Sequence, residues 1–404
     1  MGRSHTTLSP SNSHRWLVCT PSAILEREFP DSRSESAEEG TVAHDLAEVE
    51  LSRFLGRKTE RQCDRERATI KRRKNADGGT YWGASMGEYV DEYVSIVTEK
   101  FMDAQERDPA ATLLLERQLD LTEWVPGGSG YCDAVIVANG TMEVIDFKYG
   151  QKVRVDAEDN PQLRLYALGA YASLSWLYDI SHAVMTIVQP RNGGVSSEKL
   201  RIGELLTWGD SIKPVAKLAA AGEGETVAGE HCTFCRVAPR CKRLAEYHQE
   251  IARHRFANPD RLSDEDIADI LGRLDDLTGW ANKVKDYALA EARDRKKKWP
   301  GWKLVEGKSN RKLTDEGEAM RLLEEAGYTE AQYLKPKEIQ GFTNLEKLVG
   351  RKKLAELLKS VIVKPPGKPT LAPEDDPRPE FNSAKEAFKP VAEGEDDPNS
   401  TDNN

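Results

Sequence analysis

The chain has 404 residues, 38% hydrophobic and 31% charged, with a formal net charge of −10. That is long enough for two domains and a sizeable core, and polar enough for a globular chain in water. No stretch approaches the roughly 20 apolar residues of a membrane span and no apolar signal core opens the chain, so a cytoplasmic address without membrane contact is expected, while the acidic balance argues against coating nucleic acid nonspecifically.

Helical spacing first shows over residues 37–56, where Val42, Leu46, Val49 and Leu55 recur, with Gly40 and Thr41 at the start. Residues 51–75 hold ten Lys/Arg against three acids, a phosphate-contact surface or a solvated helix face. A second helix is predicted over 84–106, then three strands near 112–121, 131–138 and 141–148. Asn160-Pro161 opens another helix, because Asn caps well and Pro suits the first helical position. A strand over 182–188 follows, and strand, helix and strand in succession predict a crossover and a mixed sheet. Residues 200–220 read as helix, and a long amphipathic helix begins at Ser263, which forms a capping box with Asp266. Smaller helices are expected near 315–326, 344–349 and 351–360. From about 363 the chain is Pro-rich and acidic, with ten acids against three Lys/Arg over 371–404, and predicts disorder.

Chemistry concentrates in the hairpin. Two alternating, β-rich runs meet at Asn139-Gly140, which favours a type I′ turn needing positive φ at both residues. A two-residue loop sets Ala138 opposite Thr141 and, counting back, Asp133 opposite Asp146. Lys148 projects from the same face as Asp146. Like charges opposed on a sheet are destabilising, and a divalent cation is the usual compensation. The plainer reading is a surface hairpin whose lysine screens two solvated aspartates.

Six cysteines are present. Cys232, Cys235 and Cys241 put three thiols in ten residues, which in a cytosolic chain points to a metal centre rather than disulfides. Cys19 is the natural fourth ligand, since Cys63 lies in the basic segment and Cys132 faces away from Asp133, into the core. His231 could serve instead in a zinc site. Spacing leaves zinc and iron–sulfur both open.

Together these residues resemble the RecB-like branch of the PD-(D/E)XK nuclease superfamily, in the subgroup with a four-cysteine [4Fe–4S] cluster. That subgroup includes the nuclease domain of AddB-type helicase–nucleases and CRISPR-associated adaptation nucleases. Its helical histidine after a glycine is matched by Gly40-Thr-Val-Ala-His44, and G-x-x-D by Gly130-Tyr-Cys-Asp133. D-x-K is matched by Asp146-Phe147-Lys148, and Q-x-x-x-Y by Gln162-Leu-Arg-Leu-Tyr166. The cysteine pattern, one before the core and three spaced C-x2-C-x5-C after it, is matched by Cys19, Cys232, Cys235 and Cys241. The resemblance covers about residues 14–245.

The resemblance implies an α/β fold with a restriction-endonuclease-like core, a mixed central sheet flanked by helices. Residues 1–250 would form the nuclease core closed by the cluster, 260–362 a mainly helical accessory region and 363–404 the disordered tail. It implies Mg²⁺ or Mn²⁺ held by His44, Asp133, Asp146 and the Phe147 carbonyl. Lys148 would activate water or stabilise phosphate charge, with Gln162 and Tyr166 supporting the site or touching DNA. The expected activity is DNA hydrolysis, exonuclease favoured over endonuclease, in phage recombination, replication or DNA processing. No G-x4-G-K-[ST] loop is present, so the chain would stand alone, or work with a phage single-strand-binding or annealing protein or a separate helicase. Two other readings stay open: an inactive DNA-binding or recombination assembly factor, and a zinc-stabilised interaction protein.

Overall fold

The computed structural model describes residues 6–30, 34–151, 153–255, 263–305, 317, 320, 321, 325, 341–359 and 361. By contacts the chain divides into Met1–Lys359 and Ser360–Asn404. The expected disordered tail and nearly all of the helix expected near 315–326 lie outside the described residues.

Five strands form one sheet in the order β1 (Thr112–Asp120), β2 (Ser129–Ala138), β3 (Gly140–Phe147), β4 (Ile180–Gln189) and β5 (Gly194–Arg201). Neighbours are antiparallel except β3 and β4, which run parallel. Parallel neighbours need a crossover, here the helix Pro161–Leu174. Before the sheet come α1 (Ser13–Trp16), α2 (Ser22–Leu25), α3 (Glu35–Phe54), α4 (Glu60–Lys71) and α5 (Ala84–Arg107). The crossover is α6, followed by α7 (Ile202–Ala221), α8 (Lys242–Arg255), α9 (Asp264–Asp294), α10 (Phe342–Val349) and α11 (Arg351–Leu357).

Alternation along the strands gives each sheet face its own core. Val135 and Val137 of β2 and Met142 and Val144 of β3 pack with Leu163 of α6 and Leu205 of α7. Ala134, Ile136, Ile145 and Phe147 join Val42 and Leu46 of α3 with Tyr93 and Val97 of α5. Burying each large apolar side chain contributes about 1.5–3 kcal/mol, so both helical layers are strongly held to the sheet. The mixed sheet and its flanking helices match the sequence expectation at this level.

Several expectations shift in detail. Helix α3 begins at Glu35, capped by the Ser34 hydroxyl accepting from Ala37 N–H, so Gly40 lies within the helix. Much of the basic segment is α4, whose Cys63 and Ile70 are buried while its charged residues lie toward solvent. Strand β5 was not expected. It pairs only through β4, and its burial alternates between exposed and half-buried.

The hairpin turn is not type I′. Gly140 takes φ 86°, but Asn139 does not take a positive φ. Tertiary bonds hold both residues: Asn139 N–H donates to Asp108 Oδ2 at 2.8 Å and Gly140 N–H to Asp179 O at 2.6 Å. The register is nevertheless the expected one, Ala138↔Thr141 through Ala134↔Ile145.

Helix α9 carries the predicted Ser263–Asp266 capping box. No residue along it is fully buried. It docks by specific contacts instead: Trp280 Nε1 donates to Ala238 O at 3.1 Å, and Tyr287 meets Phe29 with ring centroids 6.1 Å apart. No helix among the described residues is long and apolar enough to cross a membrane.

Candidate active site

The β2–β3 ladder ends at Ala134↔Ile145, one step short of Asp133 and Asp146. Beyond it the two aspartates serve different partners. Asp133 Oδ2 accepts the Phe147 N–H at 2.8 Å, and Asp133 Oδ1 lies 3.0 Å from His44 Nδ1 on α3. The Phe147 ring is pinned between its neighbours, stacked on Tyr93 at 4.3 Å and tilted against His44 at 5.2 Å. Backbone and carboxylate therefore position each other.

Asp146 is 4% exposed and turns toward α6. Lys148 Nζ lies 2.9 Å from its Oδ2, and Gln162 Nε2 donates to its Oδ1 at 3.1 Å. Lys148 Nζ also donates to Gln162 Oε1 at 3.0 Å, and Gln162 Nε2 reaches the Tyr166 hydroxyl at 3.2 Å. The first turn of α6 aims Gln162 here. Asn160 Oδ1 accepts from Gln162 N–H at 3.0 Å and Leu163 N–H at 3.2 Å, and Pro161 sits at the helix start, as the sequence indicated. Gln162 and Tyr166 thus share one hydrogen-bond network with Asp146 and Lys148.

Sequence reasoning missed Glu116. The β1–β2 pairs Leu115↔Ala134 and Arg117↔Cys132 bracket Glu116 and Asp133, setting them opposite each other. Glu116 has φ 48°, a left-handed conformation that costs a non-glycine residue on the order of 1–3 kcal/mol and tends to occur at functional sites. His44, Glu116 and Asp133 offer ligand atoms all within 4.8 Å of one another. Asp146 is not in that compact group, and Glu116 joins the expected His44 and Asp133 there. One imidazole and two carboxylates form a donor set suited to Mn²⁺ or Mg²⁺. A polar residue in the middle of a leucine-rich strand was the available signal.

Electrostatics split the aspartates. Burial disfavours a charged His44, but the Asp133 carboxylate outweighs it and raises the imidazole above its ordinary pKa. Burial likewise works against ionised Asp133, yet His44 and the Phe147 N–H hold it below the usual carboxylate value. At Asp146 burial wins over Lys148, and the carboxyl is pushed up.

The cysteines make a second centre. Cys19, Cys232, Cys235 and Cys241 line one cavity, together with Arg15 and His231. Burial pushes the Cys235 thiol up to about 12. Among the described residues, no three of these sulfurs lie within 4.8 Å of one another. Cys63 and Cys132 are fully buried in the two apolar cores, as expected for Cys132. Tethers close the N-terminal segment on the cysteine loop: Arg236 N–H donates to Glu26 Oε1 at 2.8 Å, and Thr20 Oγ1 to Glu223 O at 2.6 Å.

The family described as "Protein of unknown function (DUF2800)" matches residues 5–379. The chain belongs to this family. Among solved structures, this DUF2800 chain is similar to one titled "Crystal structure of SSO0001", at 14% identity over 50% of this chain and 84% of that one, with a TM-score of 0.20.

Proposed function

We propose that this DUF2800 protein is a Mg²⁺- or Mn²⁺-dependent deoxyribonuclease on a PD-(D/E)XK core, exonuclease favoured over endonuclease. The observation that carries the reading is the pair of polar networks, one from each helical layer, that meet at the adjacent residues Asp146 and Phe147 at the end of β3. One runs from His44 through Asp133 to the Phe147 amide, the other from Asp146 through Lys148 and Gln162 to Tyr166.

His44, Glu116 and Asp133 would hold the ion, which when bound lowers the pKa of a water and polarises the scissile phosphate. Lys148 is the group placed to donate to attacking water or to charge growing on phosphate. Asp146 holds the Lys148 ammonium by charge, and Gln162 fixes both by donating to one and accepting from the other. Tyr166 braces Gln162 from one helical turn away. Asp133, tied by His44 and the Phe147 N–H, presents its carboxylate in one orientation.

The four cysteines would bind a structural [4Fe–4S] cluster. All four thiols line one cavity, and their order, one before the core and three after it, is the pattern that the cluster-bearing nucleases carry. Such a centre would join the N-terminal segment to the loop after α7.

The test is cleavage of end-labelled linear and covalently closed DNA with Mg²⁺ or Mn²⁺, comparing wild type with Asp146→Ala. Loss of linear DNA alone, abolished in the variant, supports an exonuclease at this site. Cleavage of both forms makes it an endonuclease. No cleavage by anaerobically purified wild type overturns the enzyme reading in favour of a DNA-binding assembly factor.

A further inference from the structure

Among the described residues lining the cysteine cavity, Arg15 is a charged one whose donors are not all used. The residue is 4% exposed. Nε and Nη2 both donate to Glu26 Oε2, at 3.2 and 2.9 Å. The other Glu26 oxygen is taken by the Arg236 N–H in the cysteine loop. Arg15 Nη1 is buried with no hydrogen-bond partner. A buried guanidinium N–H without an acceptor is costly, and native structures rarely keep one without a reason.

Backbone geometry ties this group to the thiols. The Cys19 N–H donates to Arg15 O at 2.8 Å, so residue and ligand share one helical turn. Lys283, a second cation nearby, is committed elsewhere: its Nζ donates to Thr233 O at 2.6 Å and Cys232 O at 3.2 Å. It braces the loop backbone, whereas Arg15 Nη1 and the neutral Ser22 Oγ line the cavity as buried donors without a partner, and of the two only Arg15 carries charge.

We infer that Arg15 Nη1 donates to a sulfur of the four-cysteine centre and sets its reduction potential. The inference rests on the iron–sulfur reading above. Four thiolates carry more negative charge than an iron–sulfide core carries positive, so the bound group is anionic. Hydrogen bonds to cluster sulfurs and nearby net charge are among the protein's means of setting potential. Glu26 has the opposite role. It holds the guanidinium in place and offsets part of its charge. Arg15 is therefore a positioning and tuning residue, remote from the hydrolytic site.

The experiment uses the full chain purified anaerobically, with iron and sulfide assayed and the potential titrated by visible absorption and paramagnetic resonance. Arg15→Gln should disfavour the reduced cluster about tenfold, which is about 59 mV for a one-electron couple. Glu26→Gln should move the potential the other way, since the guanidinium then acts uncompensated. A purely structural pair would not produce opposite signs. Iron-loaded variants with unchanged potentials, or both shifted in one direction, overturn the inference while leaving the cluster reading intact. Wild type holding zinc and no iron overturns both. Should Arg15→Gln fail to accumulate, Glu26→Gln alone decides, and no positive shift there refutes the proposal.

Discussion

Replacing Glu116 with Gln separates folding from metal binding, because the two respond with opposite signs. Ligand oxygens of Glu116 and Asp133 lie within 4.8 Å of one another, with His44 in the same group. Two unit charges at that distance repel by about 3.5 kcal/mol at an effective dielectric of 20. A closer approach raises this figure, while the His44 imidazole offsets part of it. Glu116→Gln keeps the shape and removes one charge. Without metal, the variant should unfold a few degrees higher than wild type, as expected for a gain on the order of 1–3 kcal/mol. With Mn²⁺ at a hundred times its Kd, wild type should gain about 2.7 kcal/mol by mass action. The variant, short of one of three donors, should gain little. Calorimetry of both proteins with and without Mn²⁺ measures all four midpoints. A lower metal-free midpoint in the variant, or an equal Mn²⁺ shift in both proteins, would refute Glu116 as a ligand.

Lys148→Met should cut DNA cleavage by about 10²–10³. Its fold should survive, because Gln162 Nε2 still donates to Asp146 Oδ1; loss of native circular dichroism would contradict this. Gly130→Ala would bring a Cβ to 2.7 Å from Pro10 Cγ and 2.9 Å from Tyr166 Cε1. That overpacking should cost about 1–3 kcal/mol in denaturant titration and reduce cleavage through Tyr166, whereas an unchanged midpoint and rate would show the contact is slack. Cys235→Ser should make the chain protease-sensitive, since a centre joining Cys19 to Cys232 is worth about 5 kcal/mol in the cross-link model. Full protease resistance and activity in that variant would remove the structural role.

Local rules made most of the fold legible. Asn160-Pro161 marks the start of α6 because capping chemistry is confined to one turn, and the hairpin register follows from the length of its loop. Strand β5 was not legible, since Ser196, Ser197, Glu198 and Lys199 carry no apolar run and gain strand geometry only from pairing with β4. Glu116 escaped for a related reason. Eight residues separate β1 from β2, so no tight turn fixes their register, and only the folded sheet shows that Glu116 opposes Asp133. The turn type failed because Asp108 and Asp179, distant in sequence, bind its backbone.

The placement of the site follows from where the β2–β3 ladder stops. While strands remain paired, residues of one face see one helical layer only. Past Ala134↔Ile145 the Phe147 amide is released from the ladder and taken by the Asp133 carboxylate, which in turn meets His44 from the α3 layer. Asp146, the preceding residue, turns to Gln162 in the α6 layer. Adjacent residues of one strand thereby reach both layers, and the polar groups of each converge at the carboxyl end of β3, where ligands bind in open α/β sheets. Extending the pairing by two steps, to Cys132 and Phe147, would return the Phe147 amide to a backbone acceptor and leave Asp133 without the bond that orients it toward His44.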